Sequence, residues 1–93
     1  MKNICPICFY DSLFEPPYSS KGSGSYEICP CCGFQFGYDD YPNKEDQIKE
    51  WRQKWISNGY PWFSKKRKPP ADWNPIEQLK DYIYLDIEGY TSN

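Results

Sequence analysis

Two short stretches carry the side chains able to do chemistry, Cys5-Pro6-Ile7-Cys8 and Cys29-Pro30-Cys31-Cys32-Gly33. A CxxC pair offers two thiolates from one tight turn whose amides point at the sulfurs. Two such pairs supply the four soft ligands that a tetrahedral divalent ion takes. The spacer from Phe9 to Ile28 has the length of a zinc-ribbon spacer, so Cys5, Cys8, Cys29 and Cys32 are the expected ligands of a structural Zn2+ ion. Four thiolates leave no coordination position for a water, which argues against metal-assisted hydrolysis. The chain has no histidine, no glycine-rich phosphate loop and no carboxylate pair spaced for more than a turn. No catalytic constellation is visible, and the chain is expected not to be an enzyme.

The fifth cysteine, Cys31, admits three readings. It can replace Cys32 as a ligand, act as a redox thiol beside the metal, or fill space as a small apolar residue at the base of the turn. Asp39-Asp40 reads as solvated turn chemistry in preference to a recognition feature for a basic partner or part of a metal site. The run Lys65-Lys66-Arg67-Lys68 reads as a solvated loop before a phosphate contact. Trp51 and Trp55 fit a core stripe, whereas Tyr60, Trp62 and Phe63 either cap the metal-binding part or stay exposed as interface anchors.

The elements that must position these groups follow from periodicity. Tyr26 and Ile28 alternate with Glu27 before the second CxxC, and Phe34 and Phe36 with Gln35 after it, the period of two expected of strands. Pro16 and Pro17 interrupt regular pairing, and Tyr18 to Ser25 reads as a mobile polar loop. Asn43 is placed as an N-cap for a helix in which Ile48, Trp51 and Trp55 share one face, with Ile56 at its edge, and Gly59 stops it. Asn74, Pro75 and Glu77 open a second helix in which Ile76, Leu79, Ile83 and Ile87 form a stripe ending at Gly89. The expected fold is α+β, a small antiparallel zinc-ribbon sheet with two packed α-helices. It forms a single domain divided as 1–41 zinc ribbon, 43–58 helix, 60–73 aromatic and basic connection, and 75–88 helix.

Ninety-three residues bury little surface, so a metal staple is expected. Aromatic residues make up 19% of the chain, which gives most of the burying to large rings. A formal charge of −2 does not suit wholesale phosphate neutralisation, so nucleic acid is the weaker partner class. An odd number of thiols and no apolar leader after Met1 favour a reducing cytoplasm. No apolar run has the length of a membrane span.

The stretches CPIC, EPPY, YEICPCCGFQFGYDD and PPADWNPIEQL, with the spaced tryptophans, resemble the small bacterial cysteine-rich CPCC-type proteins, which are zinc-ribbon-like. The resemblance covers most of the chain and is most specific between Tyr26 and Asp40. It implies the metal role for Cys5, Cys8, Cys29 and Cys32, and a partner role in toxin and immunity systems. Phe9 departs from the glycine that follows many such turns. The expected function is therefore a non-enzymatic zinc-ribbon module that binds another protein, such as a cognate toxin presenting a cationic surface. Nucleic-acid binding and thiol redox sensing through Cys31 are the alternatives.

Overall fold

In the computed structural model, which describes residues 2–80, the helix expected after Asn43 is α1, Lys44–Ser57. The Asn43 side chain accepts from the Asp46 amide, and Glu45 and Asp46 place negative charge where the first-turn amides are unpaired. At the other end Gly59 adopts φ 87°. The Gly59 and Tyr60 amides then close a Schellman turn on the carbonyls of Ile56 and Trp55, at 3.0 and 2.9 Å. Trp55 is buried and Trp51 half-buried on the inward face, and Arg52 is buried between them.

The antiparallel ribbon sheet does not form. Among the described residues, strand pairing amounts to three isolated bridges, Asn3 with Ser12 in parallel and Tyr18 with Gly24 and Ile28 with Gln35 antiparallel. The cause is visible around the second CxxC. Cys29 N–H donates to the Phe34 carbonyl at 2.9 Å, but one step further out both Tyr26 and Glu27 bond to Phe36. Tyr26 donates to its carbonyl and Glu27 accepts from its amide. Tyr26, at φ 66°, is the extra residue of a bulge, and a bulge ends a ladder. Alternation alone read these residues as paired strands; the left-handed tyrosine breaks the pairing after one bridge. Within the segment from Tyr18 to Ser25, expected as a mobile loop, Tyr18 bridges Gly24 and the Ser19 hydroxyl accepts from the amides of Lys21 and Ser23 to close a tight turn.

The two-helix part of the expectation is also corrected. Residues 75–80 are helical, capped by Asn74, whose Oδ1 accepts from the amides of Ile76 and Glu77 at 3.0 and 3.2 Å. Leu79 is buried as expected, but Ile76 is 62% exposed and Gln78 points inward instead. Both helical segments pack on the CxxC turns and not on a sheet. Ile83, Ile87 and Gly89 lie outside the described residues. The centre of the molecule is sulfur and aromatic carbon: Cys5, Cys8, Cys29, Phe34 and Phe36 are fully buried. In the 60–73 connection, Trp62 meets Tyr10 and Trp73 edge-on at 5.5 and 5.1 Å, and Tyr60 meets Trp55 at 5.4 Å. These two rings cap the core, whereas Phe63 is 56% exposed.

Candidate metal centre

Each CxxC folds into the same turn. Cys5 N–H donates to the Tyr10 carbonyl and Phe9 N–H returns to the Cys5 carbonyl, at 2.8 and 2.9 Å. Cys29 N–H donates to Phe34 and Gly33 N–H returns to Cys29, at 2.9 and 2.8 Å. The residue after the second cysteine is left-handed in both turns, Phe9 at φ 66° and Gly33 at φ 84°. A phenylalanine there bears a backbone cost of about 1–2 kcal/mol that glycine does not. The Ile7 amide points at the Cys5 sulfur, 3.4 Å away.

The turns face one another and bring the four expected sulfurs together. Cys5 Sγ lies 3.7 Å from Cys32 Sγ, Cys8 Sγ 3.6 Å from Cys29 Sγ, and all four lie within 4.8 Å of one another. A tetrahedron with metal–sulfur bonds of about 2.3 Å has edges of about 3.8 Å. None of the five cysteines is in a disulfide. The set fits a metal ion in number, donor type and spacing, so these four cysteines could hold one.

Burial in this pocket makes charge expensive unless a cation shares it. Burial, followed by thiol hydrogen bonds, pushes the Cys8 and Cys32 thiols far above the ordinary thiol range. Hydrogen bonds from the Cys32, Cys5 and Cys8 thiols hold Cys29 far below it. A divalent ion shared by the four sulfurs would offset the cost of placing negative charge in so buried a pocket.

Around the sulfurs, the turn carbonyls are taken by donors from downstream. Arg52 Nε donates to Ile7 O at 2.8 Å and its Nη2 to Pro6 O at 2.7 Å. Gln78 Nε2 donates to Cys8 O at 2.7 Å. On the second turn, Ser64 N–H donates to Pro30 O at 2.9 Å and Phe63 N–H to Cys31 O at 3.0 Å, while Trp51 Nε1 donates to Cys32 O at 2.9 Å. All six carbonyls of residues 6–8 and 30–32 are satisfied, each by a group far along the chain. A four-thiolate divalent centre carries a net charge of about −2, which makes a buried arginine against it electrostatically reasonable.

Arg52 and Gln78 were missed by the sequence reading, and a signal for Arg52 existed. On the helical wheel it falls between Ile48 and Ile56, at the edge of the apolar stripe, where an arginine turned inward has to find buried acceptors. Cys31 stands outside the four-sulfur group, is fully buried, and has Gln78 Nε2 3.4 Å from its sulfur. In the paired turns it takes the place of Ile7, which is also fully buried.

Asp39, Asp40 and Arg67 serve the fold. Asp39 accepts from the Gln35 amide at 2.9 Å, and Asp40 from the Gly37 amide at 2.8 Å and the Tyr18 hydroxyl at 2.7 Å. Asp40 is buried, not solvated, and burial together with its carboxylate raises the Tyr18 phenol above its usual range. In the basic run Arg67 is engaged internally. Its guanidinium donates to Tyr10 Oη and Ser12 O at 3.1 and 3.0 Å and stacks 4.1 Å from the Phe14 ring centre. No helix among the described residues is long and apolar enough to cross a membrane.

Two proteins of Bacillus subtilis (strain 168) are similar to this chain. The uncharacterized protein YoaQ is 32% identical over 107 aligned positions, which take in 92% of this chain and 90% of YoaQ. The uncharacterized protein YozI is 30% identical over 69 positions, 59% of this chain, which spans 57% of the length of YozI. No family model and no solved structure matches.

Proposed function

We propose, for a chain that belongs to the same family as YoaQ of Bacillus subtilis, that Cys5, Cys8, Cys29 and Cys32 hold one structural zinc ion, and that the body built on it is a non-enzymatic module for recognising another protein. The single observation that carries this reading is the buried four-sulfur group with edges of 3.6 and 3.7 Å. Tetrahedral all-thiolate sites select zinc or iron, and a closed site supplies folding energy with no position for a reacting water. Zinc bound there contributes an apparent ~10–16 kcal/mol at neutral pH, enough to decide whether so small a chain folds.

Recognition of a protein is supported by what the metal-built body presents to solvent. Large apolar side chains stand exposed at Phe14, Ile28 and Phe63. The internal use of Arg67 weakens the nucleic-acid alternative by removing one cation from the basic run. Full burial of Cys31 weakens the redox alternative, because oxidation follows exposure and thiolate character. Under the resemblance to cysteine-rich CPCC-type proteins, a toxin encoded beside this chain is the first partner to test, in the cytoplasm. Metal analysis of protein purified under reducing conditions should find one zinc per chain, and co-expression with the neighbouring gene product should yield a stable complex. Iron at the site, or no stoichiometric metal, would sink the first half; a monomer that leaves the candidate partner unbound would sink the second.

A further inference from the structure

Phe14, Ile28 and Phe63 are 73%, 46% and 56% exposed, and with Pro30 and Arg67 they line one groove of about 250 Å³. They come from three separate parts of the chain and are held individually. The Glu27 carboxylate accepts from the amides of Phe14 and Glu15 at 3.0 and 3.2 Å, and Arg67 stacks on the Phe14 ring. Ile28 directly precedes the ligand Cys29. Phe63 and Ser64 are strapped by their amides to Cys31 and Pro30, and Phe63 lies so close over Gly33 that a Cβ there would sit 2.5 Å from its ring. The groove is therefore a product of the second metal turn. Rings ordered this way and left in water are pre-organised anchors, the kind that dominate protein interfaces.

Charge at the groove sets the chemistry of its occupant. Glu27 is committed to the two amides and lies 3.9 Å from Arg67, so it presents little free negative charge. Lys65, Lys66 and Lys68, which follow Phe63 in the chain, are exposed, and neither ion pair among the described residues uses them. Glu15, beside Phe14 in sequence, is exposed and of opposite sign. We infer that this groove docks a protein segment carrying a bulky apolar side chain flanked by acidic residues, the apolar group entering between Phe14, Ile28 and Phe63 and the acids meeting the lysines. Local charge thus reverses the expectation drawn from the net charge of −2, which favoured a cationic partner. The inference rests on the reading of this chain as a protein-recognition module.

The test is selection from a random displayed-peptide library on the zinc-loaded full chain under reducing conditions, followed by titration of the selected peptide. Enriched sequences should combine one large apolar residue with Asp or Glu neighbours. Their Kd should rise about tenfold or more in Phe63→Ser and in the double variant Lys65→Glu, Lys66→Glu, as for loss of an interface anchor. Phe14→Ser repeats the test at a site independent of Gly33, and the thiolate-to-cobalt absorption of cobalt-loaded variants verifies the metal turns. Amide shifts should centre on Phe14, Ile28 and Phe63. Peptides with Lys or Arg flanks, shifts on another face, or concentration-dependent self-association abolished by the same variants would overturn the groove while leaving a recognition module standing. Enrichment of no peptide at all would overturn both.

Discussion

The first turn, Cys5-Pro6-Ile7-Cys8-Phe9-Tyr10, and the second, Cys29-Pro30-Cys31-Cys32-Gly33-Phe34, have matching backbone hydrogen bonds and matching left-handed residues, yet they are braced by different means. Two long side chains, from Arg52 and Gln78, satisfy the three carbonyls of the first. A backbone strap at Phe63 and Ser64, with one indole, satisfies those of the second. The first is thereby tied to both helical segments through groups that substitution can remove singly. The second is held mainly by main chain and supports the exposed groove. A local turn set by a short motif can be repeated within a chain, while the environment that stabilises each copy is supplied separately.

The largest test removes what the turns share. Stripping the metal with a chelator under reducing conditions should collapse both together, with loss of near-ultraviolet dichroism and of dispersed amide resonances, because the apparent ~10–16 kcal/mol of zinc binding exceeds the stability of most small domains. Survival of either turn alone would break the pairing.

Next come the braces. Arg52→Leu leaves the Pro6 and Ile7 carbonyls without these donors, and at about 1–3 kcal/mol for each buried unsatisfied group it should cost about 2–6 kcal/mol. Gln78→Leu affects one carbonyl and should cost about 1–3 kcal/mol. Denaturant midpoints of the metal-loaded variants rank them, and an Arg52 variant as stable as the parent would show that those carbonyls find water.

The left-handed position sharpens the comparison further. Gly33→Ala adds a strained φ of about 1–2 kcal/mol and a Cβ 2.5 Å from the Phe63 ring, so thermal unfolding should shift down clearly. Phe9→Gly removes that strain and should leave stability within about 1 kcal/mol of the parent. The smallest effect is expected at the position paired with Ile7. Cys31→Val should retain one metal per chain and lose no more than about 1.5 kcal/mol as a near-isosteric apolar change, whereas Cys32→Ser should lose the metal. Metal stoichiometry separates the two, and a metal-free Cys31→Val would make Cys31 a ligand after all.

Some of this molecule was legible in its residues because the causes were local. The two CxxC motifs build their own turns, Asn43 and Asn74 cap the segments that follow them, and Gly59 ends α1. Each depends on contacts a few residues apart, and spacing reports such contacts directly. What depended on distant partners was not legible. Around the second CxxC a single left-handed residue, Tyr26, left one bridge and a bulge where paired strands were expected, and alternation carries no record of φ. The inward turn of Gln78 in place of Ile76, the burial of Arg52 and the withdrawal of Arg67 from the basic run were decided by carbonyls and rings tens of residues away. Sequence by itself determined that four thiols would be offered in two turns. Only the tertiary structure decided which distant donors would satisfy those turns and which rings would be left to face water, because a buried polar group takes its partner from whatever the fold brings within reach.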